Sequence, residues 1–136
     1  MLVACSRSDE TANEVQPRTD SFELLEASIV DIQAAYDAGT LTAVDLVQGY
    51  LDRIAAYDAA GVALTSIISI HPEALSQAAA LDEERLQSGR RGLLHGIPIS
   101  IKDLQMTKGV RSTGGLLAYK DRIPDADCAV VERVLA

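Results

Sequence analysis

The chain contains no tryptophan and a single phenylalanine, so aliphatic side chains and alanine must form most of its core. Two cysteines and two histidines, without a CxxC or HExxH pattern, argue against a disulfide framework and against a metal site. No apolar stretch approaches the roughly 18 residues of a membrane-spanning helix. The formal net charge of −8 argues against a nucleic-acid partner, because phosphate binding requires clustered lysine and arginine. The composition therefore predicts an ordinary soluble globular protein, and we expect no cofactor.

The first twenty residues differ from the rest. Residues 6–20 contain one aliphatic side chain larger than alanine, Val15, which predicts a disordered polar tail for residues 1–20. The sequence LVAC at residues 2–5 resembles the end of a bacterial lipoprotein signal, in which the cysteine carries the lipid, although no basic segment precedes it. A chance match explains these four residues equally well. Lipidation of Cys5 would place the protein at a membrane surface in the cell envelope, or secreted; otherwise we expect a cytoplasmic protein.

Two capping boxes open the ordered part of the chain. The sequences Ser28-Ile-Val-Asp31 and Thr42-Ala-Val-Asp45 each predict the start of an amphipathic helix. Gly39 ends the first helix, and the second ends before Gly61. The short joint at residues 39–41 predicts that these two helices form an antiparallel hairpin.

Two short apolar segments, residues 65–70 and 97–102, predict β-strands. A third helix is predicted between them at residues 72–88, and a last helix begins after a cap at Asp125 or Asp127. The apolar stripe of that helix is still running at the final residue, and two strands are too few for a stable sheet. We therefore predict an α/β fold, a mixed sheet covered by helices, that is truncated here and continues beyond residue 136.

The second predicted strand ends on a lysine. Alternation places Ile97, Ile99 and Ile101 on one face of the strand and Lys102 on the other. An ammonium group at the end of a buried strand is costly unless it is paired, exposed or neutral. Two interpretations remain open: Lys102 is an exposed lysine paired with Asp103, or burial keeps it neutral and available as a base.

The segment LLHGIPISIKDL, residues 93–104, resembles the lysine-bearing segment of the amidase signature family, usually close to PLHGIPVxxKDN. The resemblance covers about residues 27–136. It implies that residues 21–136 are the N-terminal portion of an α/β/α amidase domain, which cleaves or transfers amides with a Ser–Ser–Lys triad. Only Lys102 matches a triad member, as the base that acts on a bridging serine. Both serines belong to a later GGSSGG-like segment, so we expect the 136-residue chain alone to be inactive.

The resemblance implies an amidase acting on a small-molecule carboxylic amide. The alternatives are a non-catalytic truncated remnant and a fragment of the A subunit of an aminoacyl-tRNA amidotransferase, and a homodimer is left open. The sequence STGG at residues 112–115 can point backbone N–H groups at an anion or a carbonyl oxygen, although a plain turn is as compatible. The resemblance places this stretch near the substrate cleft, and we assign Thr113 and Gly114 to substrate binding.

Overall fold

The computed structural model describes residues 22–136, so Cys5 and the predicted tail lie outside the described residues. Within this range the chain forms four α-helices: α1 (Ile29–Asp37), α2 (Ala43–Arg53), α3 (Ala74–Ser88) and α4 (Ala129–Leu135). A π-helical turn, Ile54–Asp58, follows α2, and a 3₁₀ turn, Leu117–Tyr119, precedes α4. From residue 22 onward, no helix combines the length and the apolar character needed to cross a bilayer.

The start of α1 is the predicted capping box. The Ser28 hydroxyl accepts from the backbone N–H of Asp31 at 3.2 Å, and the Asp31 carboxylate accepts from the N–H of Ser28 at 3.2 Å. The hydroxyl of Ser28 also hydrogen-bonds the same carboxylate, which holds the pKa of Asp31 below its usual value. Gly39 follows α1 at a φ of +67°, as the predicted stop signal requires. Both ends of this helix are therefore confirmed.

The first turn of α2 leaves no N–H group without a partner. The Thr42 hydroxyl accepts from the N–H of Asp45 at 3.0 Å, and the Asp45 carboxylate accepts from the N–H of Thr42 at 3.2 Å. The two N–H groups between them are satisfied from another helix, because the Asp82 carboxylate on α3 accepts from Ala43 at 2.7 Å and from Val44 at 3.1 Å. Asp82 thus fixes the angle at which α2 meets α3, and its charge is favourable at a helix N-terminus.

The predicted pairing of α1 with α2 is wrong, because α2 makes its extensive contacts with α3. α1 instead contributes two side chains, Ile32 and Tyr36, to the shared core. Leu46 of α2 is fully buried at the centre of this core. The physical reason is the Asp82 contact, which ties the N-terminus of α2 to α3. The buried members of the core are Ile32, Tyr36, Leu41, Ala43, Leu46 and Ala78.

The two predicted strands do not form among residues 22–136. Residues 65–70 and 97–102 run without a hydrogen-bonded neighbouring strand. In the second segment Ile97 packs against the core, whereas Ile99 and Ile101 are exposed at 44% and 38%. A β-strand exists only as a member of a ladder, and the described residues supply no partner edge. The first segment is held instead by Asp58, whose carboxylate accepts from the N–H groups of Ser66 at 2.7 Å and Ile67 at 3.0 Å.

The predicted cap of the last helix is also wrong. α4 begins after Cys128, whose side chain makes no capping hydrogen bond. The Asp127 carboxylate accepts instead from the backbone N–H of Lys108 at 2.7 Å, and the N–H of Cys128 donates to the carbonyl of Met106 at 2.9 Å. The Asp127 carboxylate, which the local pattern assigned to the N-terminus of the helix, is thus bonded to the loop that contains Lys108.

Candidate functional site

The segment before the lysine, residues 93–96, is held by two buried side chains of α1. The Gln33 amide donates to the carbonyl of Leu93 at 3.0 Å and to that of His95 at 2.9 Å. The Tyr36 hydroxyl donates to the carbonyl of Gly96 at 2.8 Å. Three carbonyl groups of this segment are therefore satisfied from a single helix face, which fixes its path relative to the core.

His95 is buried and has a structural role in this chain. Its Nδ1 accepts from the backbone N–H of Arg91 at 3.4 Å, so the second ring nitrogen carries the proton and Nε2 donates to the carbonyl of Leu81 at 2.8 Å. The ring thereby ties the loop that contains Arg91 to the middle of α3. Both nitrogens are used within the fold, and neither is available to a ligand.

Arg85 completes the attachment of this segment. Its guanidinium pairs with Asp37 at 2.9 Å and also donates to the side-chain oxygen of Gln33. It lies 4.9 Å from the centroid of the Tyr36 ring, a cation–π distance. A mostly buried arginine thus joins α3 to α1 and orients the Gln33 amide, whose N–H groups hold the backbone of residues 93–95.

Lys102 lies at the first position of a tight turn and is exposed. Its carbonyl accepts from the N–H of Gln105 at 2.8 Å. The expected burial of Lys102 is not found, because the extended residues 97–102 have no strand beside them in the described part of the chain. Nor does an ion pair with Asp103 form among residues 22–136, so the interpretation of Lys102 as a paired lysine is wrong for this structure.

The Asp103 carboxylate is engaged by the STGG loop. It accepts from the backbone N–H of Thr113 at 2.8 Å, from the Thr113 hydroxyl at 2.7 Å and from the N–H of Gly115 at 3.3 Å. The Thr113 hydroxyl, followed by the loop N–H groups, holds the pKa of Asp103 below its usual value. The N–H groups that the sequence assigned to an anion or carbonyl oxygen are thus directed at a carboxylate of the same chain.

An open pocket of about 210 Å³ lies beside this loop. Asp103, Thr113 and Gly114 form part of its wall, and Lys102 is the sequence neighbour of that wall but does not line it. The lining combines apolar side chains with one guanidinium: Asp103, Leu104, Met106, Ser112, Thr113, Gly114, Leu116, Tyr119 and Arg122. Across residues 22–136 no group of three or more His, Cys, Asp or Glu side chains lies close enough to hold a metal ion.

The structure therefore brings Thr113 and Gly114 together at one pocket, next in sequence to the turn that carries Lys102. Sequence reasoning missed three residues that organise this region: Asp103, Gln33 and Tyr36. A signal existed for Gln33, because it follows Ile32 and precedes Tyr36 by three residues, which places it on the buried face of α1. No local pattern indicated that Asp103 would bind a loop ten residues away.

The comparisons with known proteins agree with this architecture. A model of the family described as Amidase matches residues 45–136. The A subunit of the glutamyl-tRNA(Gln) amidotransferase of Alkaliphilus metalliredigens is 37% identical over 115 residues, which are 85% of this chain and 23% of that protein. The indoleacetamide hydrolase of Bradyrhizobium diazoefficiens is 37% identical over 107 residues, 79% of this chain and 20% of that protein.

Solved structures give the same result. The peptide amidase of Stenotrophomonas maltophilia superposes with a TM-score of 0.78 at 40% identity, over 82% of this chain and 23% of that one. An amidase family protein of Bacillus anthracis gives a TM-score of 0.78 at 33% identity, over 82% and 22%. The chain thus spans about a fifth of the length of the relatives it matches. Since the family model covers well over half of these 136 residues, the chain belongs to the amidase signature family.

Proposed function

We propose that this chain supplies the lysine-bearing N-terminal part of an amidase that hydrolyses carboxylic amides with a Ser–Ser–Lys triad. The observation that carries the proposal is the position of Lys102, the first residue of the turn whose second residue, Asp103, holds the STGG loop and lines the pocket. Two similar proteins, a peptide amidase and an indoleacetamide hydrolase, bear names that describe amide cleavage. Membership of the family and the placement of Lys102 therefore support the same chemistry.

The chemical role proposed for Lys102 is that of a general base. A serine hydroxyl is a poor nucleophile unless a neighbouring group takes its proton, and a neutral lysine amine can take one where guanidinium cannot. In this proposal Lys102 accepts the proton of a bridging serine, which in turn accepts the proton of the nucleophilic serine. Neither serine is assigned to this chain: Ser100 is exposed on the extended segment, and Ser112 is buried with its hydroxyl directed at the carbonyl of Val110.

The mixed sheet of the predicted α/β/α fold belongs to the same proposal. Residues 65–70 and 97–102 lie outside any helix and leave isoleucine side chains exposed, Ile68 at 58% and Ile70 at 49% in the first. Strands supplied by the rest of an amidase domain would give these segments their hydrogen-bonding partners and cover those side chains. Lys102 would then lie at the end of a central strand and lose the exposure that it has here.

The substrate proposed is a small-molecule carboxylic amide, with Thr113 and Gly114 at the wall of its site. Because the N–H of Thr113 and that of Gly115 donate to Asp103, we assign the loop the task of shaping this wall. A homodimer and a membrane surface reached through a lipidated Cys5 remain proposals about the partners. Lipidation would also determine where the protein is found. With the lipid it would lie in the cell envelope or be secreted, and without the lipid it would be cytoplasmic.

A second function, that of an amidotransferase, is favoured by the 37% identity to the A subunit of such an enzyme. In that case the nitrogen of the cleaved amide is transferred to an acceptor and is not released into solution as ammonia. The two functions differ in one measurement, since a hydrolase releases ammonia from an amide with no partner protein present. Ammonia release that depends strictly on added amidotransferase partners and an acylated tRNA would select the amidotransferase. A non-catalytic remnant would give neither reaction.

The test of the proposed base uses a chimera in which the matched part of this chain replaces the matched 23% of the Stenotrophomonas peptide amidase. We expect the chimera to hydrolyse a peptide amide, and the isolated 136-residue chain not to do so. Lys102→Met should lower turnover by roughly a hundredfold or more, the size expected for the loss of a general base. Lys102→Arg should be equally impaired, because guanidinium does not give up its proton.

The matched control is Lys120→Met, which removes an exposed ammonium whose ion pair with Asp121 is long, at 3.7 Å. It should keep the turnover of the parent chimera. Melting temperatures of all four proteins separate a loss of chemistry from a loss of folding. Full turnover in Lys102→Met would show that Lys102 is not the base.

A further inference from the structure

We propose that Asp103 is a positioning residue for Lys102, because its carboxylate fastens the turn that begins at Lys102 to the loop at residues 113–115. What Lys102 does at that place rests on the proposed amidase function. The contact itself does not, since it is made entirely between residues of this chain.

The geometry of the contact is that of a carboxylate surrounded by donors. Asp103 receives two hydrogen bonds from Thr113, one from the backbone at 2.8 Å and one from the hydroxyl at 2.7 Å, and a third from the N–H of Gly115 at 3.3 Å. The Thr113 hydroxyl also accepts from the N–H of Gly115 at 3.1 Å, so the donors are held relative to one another. Charge-assisted bonds of this length are among the stronger hydrogen bonds in proteins.

The loop is built to present these donors. Gly114 and Gly115 have φ values of +58° and +74°, and two successive left-handed residues turn their N–H groups toward one side of the chain. Asp103 occupies this concave arrangement of N–H groups as an internal anion. The loop hydrogen bonds keep the pKa of Asp103 below its usual value, as expected for a carboxylate that accepts several N–H and O–H groups.

The same contact determines what lies next to Lys102. The Lys102 carbonyl accepts from the N–H of Gln105 at 2.8 Å, so Lys102 and Asp103 belong to one hydrogen-bonded turn. Anchoring the second residue of that turn to the loop fixes the position of the first. It also withholds the neighbouring carboxylate from the Lys102 amine, where an ion pair would favour the ammonium form and oppose a role as base.

The first test is amide hydrogen exchange in this chain, read at three N–H groups. Asp103→Asn keeps the shape of the side chain but replaces one acceptor oxygen with a donor. We expect exchange at Thr113 and Gly115 to accelerate about tenfold or more, the loss of a charge-assisted bond. Exchange at Gln105 should accelerate with them, since its bond to Lys102 depends on the anchored turn. Amides in α2 and α3 should be unchanged.

The matched control is Asp121→Asn, an aspartate exposed at 84% that accepts only the long ion pair from Lys120. It should alter none of the three rates. Should Asp103→Asn fail to fold, as α2 amides would report, Thr113→Val removes both bonds of the hydroxyl, the one to Asp103 and the one from Gly115, and Thr113→Ser restores them together with their protection. Unchanged exchange at Thr113 and Gly115 would disprove the contact. Faster exchange there with unchanged Gln105 would show that the contact does not position the turn.

The second test is turnover in the chimera with peptide amidase described above. Asp103→Asn should lower kcat about tenfold or more, because Asp103 acts through Lys102. KM should change by a smaller factor, because Asp103 also holds the loop at the pocket wall. Loss of turnover in Lys102→Met with normal kcat in Asp103→Asn would overturn the positioning role and leave the amidase function standing. Full turnover in Lys102→Met would overturn that function, while the exchange result would still decide the contact.

Discussion

The Tyr36 hydroxyl donates to the carbonyl of Gly96 at 2.8 Å, and the edge of the same ring lies 3.2 Å from the place where a Cβ atom on Gly96 would stand. Ala43 of α2 lies equally near to that place. The lysine-bearing segment therefore meets the helical core at a residue that has no side chain. The glycine of the HGIP sequence is explained by this approach together with its φ of +79°.

Gly96→Ala should destabilise the chain by more than the backbone cost alone. A left-handed φ costs an alanine roughly 1–2 kcal/mol, and here the added Cβ also meets Tyr36 and Ala43. Gly39→Ala is the matched control, because Gly39 has a φ of +67° with nothing within 4 Å of a Cβ. Urea unfolding of the two variants measures the difference. Equal losses of unfolding free energy would show that the contact with Tyr36 is not restrictive.

Asp82→Ala should loosen the attachment of α2 to α3. The substitution leaves the N–H groups of Ala43 and Val44 without their acceptor, and the loss of a helix cap typically costs about 1 kcal/mol. Glu83→Ala, at the neighbouring exposed position, removes a carboxylate that contacts only Gln87 and should cost less than half as much. The free energy of unfolding measured for each variant checks this. An Asp82→Ala loss no greater than that of Glu83→Ala would count against the cap.

Acid should destabilise the fold below about pH 4. Hydrogen bonds from Ser66 to Asp58, and from Thr113 to Asp103, lower the pKa of both carboxylates from the ordinary value of 3.8. A lowered pKa in the folded state means stability that is present above the unfolded value and is lost as the pH falls through the folded one. Melting temperatures should therefore be flat from pH 7 to 5 and fall below 4. Asp58→Asn should show a shallower fall, and an acid dependence identical to that of the wild type would contradict the role of Asp58.

The exposed isoleucines of residues 97–102 should promote self-association. Ile99 and Ile101 are exposed on a segment that has no neighbouring strand in the described range. Exposed apolar patches next to unpaired backbone favour contact with a second chain. Sedimentation should show association that rises with concentration and is reduced in Ile99→Ser/Ile101→Ser. Leu86→Ser, a control on α3 at 83% exposure, should associate like the wild type.

Lipidation at Cys5 has a direct measurement. If the cysteine carries a lipid, the native product should begin at that residue and partition into the detergent phase, and Cys5→Ser should abolish this partitioning. The N-terminal mass of the protein isolated from its own cells provides the independent check. Recovery in the aqueous phase with Met1 intact would exclude lipidation and strengthen the amidotransferase alternative.

Local chemistry was enough to predict where the first two helices begin. A capping box involves residues only three positions apart, so Ser28 with Asp31 and Thr42 with Asp45 carry the whole signal within the sequence. The amidase resemblance, over about residues 27–136, could also be read from the sequence, since its most specific part is the short segment around Lys102, and the family match confirms it. These features do not depend on how the helices are arranged.

Tertiary structure decided the partners. By sequence Asp82 is an ordinary surface aspartate and Asp127 a candidate helix cap. In the structure Asp82 accepts two N–H groups of α2, and Asp127 accepts the N–H of Lys108, which leaves α4 without its expected cap. The strands failed for the same reason, because a β-ladder requires a second segment at hydrogen-bonding distance and apolar composition cannot supply one. Asp103 likewise bonds to Thr113 and does not pair with its neighbour Lys102. Several donors fixed in one loop bind a carboxylate better than one flexible, solvated ammonium group does.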